Sequence, residues 1–206
     1  MKTSLILFRH GQPQLQNCLL GRTDSKLSAL GWQQMEEISS KIQNIDLVIT
    51  SPLLRCKQFA VEFASKNAIP FECEEDWQEC NFGDWDGLSY EKLYQENTEP
   101  FEKFISNPEK HGAPNGESLT DFKQRIDQAL NRILKEHKGK TILLVSHAGV
   151  IRNLIAWAIG IERLSNKPYQ RYSIDYASVS QIDVFDDTGL FSQLKYMNKV
   201  AEVSLK

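Results

Sequence analysis

Leu5-Ile6-Leu7-Phe8 is an unbroken apolar run that stops at Arg9-His10-Gly11. Four consecutive apolar residues suit a strand covered on both faces, as in a buried parallel sheet. Thr141-Ile142-Leu143-Leu144-Val145 repeats the pattern and stops at Ser146-His147, where Ala148-Gly149 opens a helix. Ligands of open α/β sheets bind beyond the C-terminal ends of the strands. The two stops therefore nominate one region for chemistry. Neighbouring strand residues face opposite ways, so Arg9 and His10 converge only if the strand unwinds at its end. Gly11 then permits a sharp turn and a close approach of backbone to ligand. A guanidinium presents a planar fork of donors to a phosphate, and a neutral imidazole beside it has the makings of a nucleophile.

The stretches between follow a strand–helix rhythm. Residues 12–26 are polar and irregular, a loop. Ser28 caps a helix whose apolar positions Met35, Ile38, Ile42 and Ile45 keep helical spacing. Residues 46–50 form a second strand that runs into Ser51-Pro52, an N-cap followed by proline at the first helical position. Leu53, Cys56, Ala60 and Phe63 give that helix its apolar face. Arg55 falls in its electropositive first turn, although an isolated arginine there is more often a solvated surface residue. A short third strand fits residues 68–73. Residues 74–87 are acidic and aromatic, without a period. Short helical stretches start at Ser89 and Pro100, and residues 108–116 form a loop. Ser118 with Asp121 resembles a capping box. It opens the clearest helix, with Leu119, Phe122, Ile126, Leu130 and Ile133 on one face and Gly139 beyond its end. Residues 174–184 and 189–197 read as late strands. This alternation predicts an α/β fold over residues 1–206 as one domain. The expected form is a three-layer sandwich with a mostly parallel central sheet and helices on both faces.

Composition narrows the function classes. A chain of 206 residues with 41% hydrophobic and 25% charged residues is that of a globular protein. A net charge of -3 gives no broad attraction to nucleic acid or a membrane surface. No apolar stretch approaches the length of a membrane span. The N-terminal run leads straight into Arg9 without a signal-peptide layout. Cys18, Cys56, Cys73 and Cys80 are scattered without metal spacing and are expected to be reduced thiols in the cytoplasm. No P-loop, dinucleotide turn, Gly-x-Ser-x-Gly elbow or paired metal-ligand spacing is present, so no metal and no cofactor is expected. Nothing in the sequence sets the oligomeric state.

If the strands are neighbours, Arg9, His10, Arg55 and His147 surround one small anion. His111 and His137, in a loop and at a helix end, read as structural. Glu79 lies in the acidic stretch, where most carboxylates are solvated. Trp77, Phe82 and Trp85 nearby would desolvate it and raise its pKa, as a general acid requires.

The ordered segments that carry a resemblance are Leu7-Phe8-Arg9-His10-Gly11; Gly21-Arg22-Thr23-Asp24 leading to Leu27-Ser28; Ser51-Pro52-Leu53-Leu54-Arg55; Glu79 with residues 82–87; Pro114-Asn115-Gly116-Glu117-Ser118; and Val145-Ser146-His147-Ala148-Gly149-Val150-Ile151-Arg152. On these the chain resembles the histidine phosphatase superfamily, the phosphoglycerate-mutase-like enzymes. The resemblance implies that His10 is a nucleophile forming phosphohistidine. It also implies that Arg9, Arg55, His147 and the Ala148 N–H hold the phosphoryl oxygens, and that Glu79 protonates the leaving oxygen. Gly11, Asn17, Gly21 and Arg22 are implied on the substrate side. The chain departs from the family pattern at Gln12, where glutamate is usual, at Gln16-Asn17, where the expected asparagine is shifted by one, and at Asp86. Within the family it most resembles bacterial α-ribazole-5′-phosphate phosphatases. That implies a phosphomonoesterase acting on a small-molecule phosphate ester in cobalamin biosynthesis. Alternatives are a phosphoglycerate mutase or fructose-2,6-bisphosphatase-like enzyme, or a non-catalytic phospho-ligand binder. Retention of His10, Arg55, Glu79 and His147 argues against the last.

Overall fold

A computed structural model describes residues 1–187 and 189–200. The apolar run becomes β1 (Lys2–Arg9), and its repeat becomes β4 (Thr141–Ser146). These are parallel neighbours, with Arg9 opposite Ser146 in register. β2 (Leu47–Thr50) lies parallel on the far side of β4, and β3 (Phe71–Cys73) parallel beyond it. β5 (Val179–Asp186) and β6 (Leu190–Lys199) close the other side antiparallel, giving the order β3-β2-β4-β1-β5-β6. The expected sandwich is therefore a mixed sheet whose four parallel strands carry the strand-end residues.

Side chains alternate across the pleat, so each central strand feeds two cores. On one face Leu5, Leu7, Ile142 and Leu144 pack with α5 (Leu119–Glu136) and α6 (Ala148–Ala158). On the other face Ile6, Phe8, Leu143 and Val145 pack with α1 (Ala29–Ser39) and α2 (Leu54–Lys66). A satellite cluster of Leu19, Trp85, Leu93, Phe101 and Ala113 lies under α3 (Tyr90–Glu96) and α4 (Thr98–Ser106). No helix among the described residues is long and apolar enough to cross a membrane.

Several boundaries differ from the sequence reading. α1 stops at Ser39, before Ile42 and Ile45, because the Ser39 and Ser40 hydroxyls donate to the Glu36 and Glu37 carbonyls and close the helix there. Ile42 and Ile45 still pack on the core. α2 starts at Leu54 rather than at Pro52. Asp24 accepts the Leu54 N–H at 2.7 Å, while the Ser51 hydroxyl accepts the Leu53 N–H only at 3.4 Å and lies closer, at 2.8 Å, to His147 Nε2. α4 begins at Thr98, with Pro100 inside its first turn, where a missing N–H costs nothing. The strand expected from residue 174 begins only at Val179, since Ala177 takes φ +52° in a turn. A short α7 (Lys167–Gln170) had no signal in the sequence.

Candidate active site

β1 does unwind where chemistry needs it. It ends at Arg9, and His10 lies outside it while still bonded on both sides: the His10 N–H donates to Ser146 O, and Ala177 N–H donates to His10 O. Arg9 and His10 both reach a cavity of about 330 Å³ at the strand ends, whose wall includes Glu79 and Ala148. Arg9 donates to Ile174 O at 2.5 Å and lies 3.9 Å from the Tyr176 ring centroid; its Nε is buried without a partner.

The His10 ring is buried, and its Nδ1 lies 2.8 Å from Gly11 O. A carbonyl only accepts, so Nδ1 carries the proton and Nε2 keeps its lone pair. Burial first, then the positive charges of Arg55 and Arg9, hold the His10 pKa well below its ordinary value. The ring is neutral at neutral pH.

Arg55 and His147 are completely buried and lie outside the cavity wall. Arg55 Nη1 and Nη2 donate to Thr23 O at 2.9 Å and Gly21 O at 2.6 Å, and Nε donates to His147 Nδ1 at 3.3 Å. With Nδ1 accepting, His147 Nε2–H donates to Ser51 Oγ at 2.8 Å. The two imidazole centroids are 5.2 Å apart, so this layer abuts His10. Burial, then Arg55 and His10, holds His147 well below its ordinary pKa too. The four strand-end residues are thus brought together in two layers rather than in one ring around an anion.

Glu79 is 8% exposed and lines the cavity. Its Oε2 accepts the Gly149 N–H at 2.9 Å in the first turn of α6, and Oε1 accepts the Cys80 N–H. A side chain at position 149 would overlap Glu79, so glycine there is a condition for the carboxyl's position. The expected aromatic cage is not what surrounds it. Trp77 belongs to the main core and Trp85 to the satellite cluster; of the three, only Phe82 shares the cavity wall.

The substrate-side residues fall differently from expectation. Gly11 is close to α1, not to the cavity: a Cβ there would overlap the Gly31 carbonyl. Asn17, at φ +55°, turns the loop and accepts Tyr90 N–H through its carbonyl, while Cys18, Leu19 and Leu20 reach the cavity in its place. Gly21 and Arg22 also lie off the wall. Asp86 accepts the N–H groups of Gly21, Arg22 and Thr23, which holds the carbonyls that Arg55 grips. Burial, then Arg125, lowers the Arg22 pKa. Tyr90, Arg152 and Tyr176 also line the cavity; an isolated tyrosine has no sequence signal, whereas Arg152 closes the segment that begins at Val145 and was not assigned a role from it. His137 pairs with Glu72 at 3.4 Å away from the site. Among the described residues no group of three or more His, Cys, Asp or Glu is placed to hold a metal.

Residues 5–196 match the model of the histidine phosphatase superfamily, branch 1, and the chain belongs to that family. It is 29% identical over 202 residues to the adenosylcobalamin/alpha-ribazole phosphatase of Escherichia coli, covering 96% of each chain. It is 28% identical over 182 residues to phosphoserine phosphatase 1 of Hydrogenobacter thermophilus, covering 86% of this chain and 85% of that one. The solved alpha-ribazole phosphatase of Shigella flexneri superposes with a TM-score of 0.83 at 26% identity, over 95% of this chain and 96% of that one. A bifunctional protein of Mycobacterium tuberculosis is 30% identical over 190 residues, and this chain spans about half of that protein's length (51%).

Proposed function

We propose that the protein is a cytoplasmic, metal-independent phosphomonoesterase working through a phosphohistidine at His10. The carrying observation is the His10 ring: neutral, fixed by Gly11 O through Nδ1, and presenting Nε2 beside Arg9 in the cavity. His10 Nε2 attacks phosphorus in line as the bond to the leaving oxygen breaks. Glu79 gives its proton to that oxygen. Its carboxylate then takes a proton from water, which attacks the phosphohistidine and releases phosphate and His10. Arg9 and the N-terminal turn of α6 at Ala148 face the transferring group. Arg55 uses three of its N–H donors on Thr23, Gly21 and His147 and, buried behind the cavity wall, contributes positive charge behind His10 rather than a contact to the phosphoryl group. Fixed cationic groups supply charge stabilisation that a metal supplies elsewhere.

The substrate we assign is α-ribazole 5′-phosphate, with α-ribazole as the released alcohol. The alpha-ribazole phosphatases of Escherichia coli and Shigella flexneri support it, and so does a cavity walled by Phe82, Tyr90, Phe104, Tyr169 and Tyr176, which suits a flat ring. One observation favours a second reading. Arg152 lines the same cavity with its Nε unpartnered, which suits a carboxylate on the leaving group, as in phosphoserine or 3-phosphoglycerate. Measuring kcat/KM for α-ribazole 5′-phosphate, phosphoserine, 3-phosphoglycerate and fructose 2,6-bisphosphate decides between them. We expect the first to be preferred by at least about tenfold, 1.4 kcal/mol of transition-state binding. Preference for an acidic leaving group would replace the assignment. Return of the phosphoryl group to a glycerate hydroxyl would make the protein a mutase.

A further inference from the structure

The segment that carries Glu79 has little of its own to hold it. Residues 75–77 form a single 3₁₀ turn, and residues 78–82 have no strand ladder. Arg125, on α5, supplies the missing frame. Its Nη1 donates to the carbonyls of Asp76 at 2.6 Å and Gln78 at 3.0 Å, and its Nη2 to that of Glu79 at 3.4 Å. The guanidinium is itself held by Glu117: Nε to Oε1 and Nη2 to Oε2, both at 2.8 Å. Glu117 also grips the chain just beyond Glu79, accepting Asn81 N–H through Oε2 and donating its own N–H to Asn81 O. One bidentate pair therefore fixes the backbone on both sides of the carboxyl. The pair is 15% and 13% exposed, so solvent screens it little.

We propose that Arg125, locked by Glu117, is the positioning residue for the proton donor of the reaction, and that Glu117 is not itself a donor although it reaches the cavity. The inference rests on the general-acid reading of Glu79. Glu117 is excluded as donor because a permanent cation, the Arg125 guanidinium, holds both of its oxygens, whereas those of Glu79 meet only neutral backbone N–H groups. Lysine cannot replace Arg125: a point charge cannot span three carbonyls and a bidentate carboxylate at once.

The test uses leaving groups. An alkoxide needs a proton to depart, whereas nitrophenolate does not. Misplacing the acid should therefore slow phosphoenzyme formation selectively, while loss of general stability slows both substrates or neither. Single-turnover phosphoenzyme formation is measured with an alkyl phosphate and with p-nitrophenyl phosphate for Glu79→Gln, Arg125→Lys, Arg125→Met and Glu117→Gln, with a thermal melt of each. Glu79→Gln should lose about 10²–10⁴-fold on the alkyl ester and far less on the aryl ester. Arg125→Lys should lose about 10–100-fold with the same selectivity, the effect of a misplacement of about 1 Å. Glu117→Gln keeps the shape and one amide oxygen and should show the same selectivity at smaller size. If Arg125→Met does not fold, Arg125→Lys and Glu117→Gln carry the test. Selective loss in Glu79→Gln with equal or no loss in the Arg125 and Glu117 variants overturns the positioning role. Equal loss on both esters in Glu79→Gln overturns the acid reading itself.

Discussion

β1 and β4 end alike and their histidines are used differently. Arg9 and Ser146 are opposite in register, so His10 and His147 stand one step beyond the same sheet edge. After β4 the chain enters α6 at once, which turns His147 under the helix start and into a fully buried layer. After β1 the chain passes close against Gly31 of α1, and the His10 ring stays on the cavity wall. Both rings are neutral for the same reasons, burial and neighbouring arginines. What separates them is their free valence. His147 has both nitrogens engaged, by Arg55 and Ser51, whereas His10 uses only Nδ1. The nucleophile we propose is distinguished by the ring nitrogen left over, not by the strand that delivers it.

Removing each ring should break the symmetry most visibly. His10→Ala should abolish the acid-labile phosphoenzyme and cost on the order of 10⁴-fold or more in kcat, the scale seen when a covalent nucleophile is lost. His147→Ala should cost about 10²–10³-fold, the scale of losing electrostatic or positioning support, while a phosphoenzyme still forms. Rapid-quench labelling reads both. Phosphoenzyme in His10→Ala, or none in His147→Ala, would reverse the assignment.

Shared neutrality gives a pH effect of intermediate size. Both histidines have folded pKa values well below the ordinary 6.5. Below pH 6.5 the unfolded chain takes up protons that the folded chain refuses, so stability is full above 6.5 and is lost as pH falls towards the folded values. Each ring contributes a slope of up to about 1.4 kcal/mol per pH unit, and the pair about 2.7. Urea midpoints between pH 7 and pH 5 measure this, with His10→Asn/His147→Asn as the flattened control. An identical slope in that control would mean that other groups titrate in this window.

The smallest expected effect comes from making the two rings more alike. Ser51→Ala removes the acceptor of His147 Nε2–H while Arg55 still holds Nδ1. About 1 kcal/mol of stability should be lost, the cost of one buried hydrogen bond. Denaturant titration resolves it, and an unaltered midpoint would show that Arg55 alone fixes the ring.

Much of this arrangement was legible along the chain. The two apolar runs, their polar stops, the Ser118 cap of α5 and the order of the motifs all rest on local chemistry: burial period, capping hydroxyls and strand-ending glycine. The same local rules failed where a distant partner intervened. Ser51 read as an N-cap, yet its hydroxyl is shared between His147 and a long bond from the Leu53 N–H, and Asp24 takes the shorter cap bond of α2. Gly11 read as room for a ligand, yet it makes room for Gly31. Trp77 and Trp85 read as a shield for Glu79 from proximity in sequence alone, and each faces its own hydrophobic cluster.

By itself the sequence determined the strands, the helices that cover them and the side chains available at the strand ends, because hydrophobic period and capping act within a few residues. Only the tertiary structure decided which of those side chains keeps an unpaired atom facing the cavity. His10 Nε2 is left over because Gly11 O takes Nδ1, and Glu79 faces the cavity because Gly149 and Arg125, 70 and 46 residues away, hold it there. Such choices depend on hydrogen bonds between residues far apart in the chain. Their geometry exists only once the sheet, α5 and α6 have packed together.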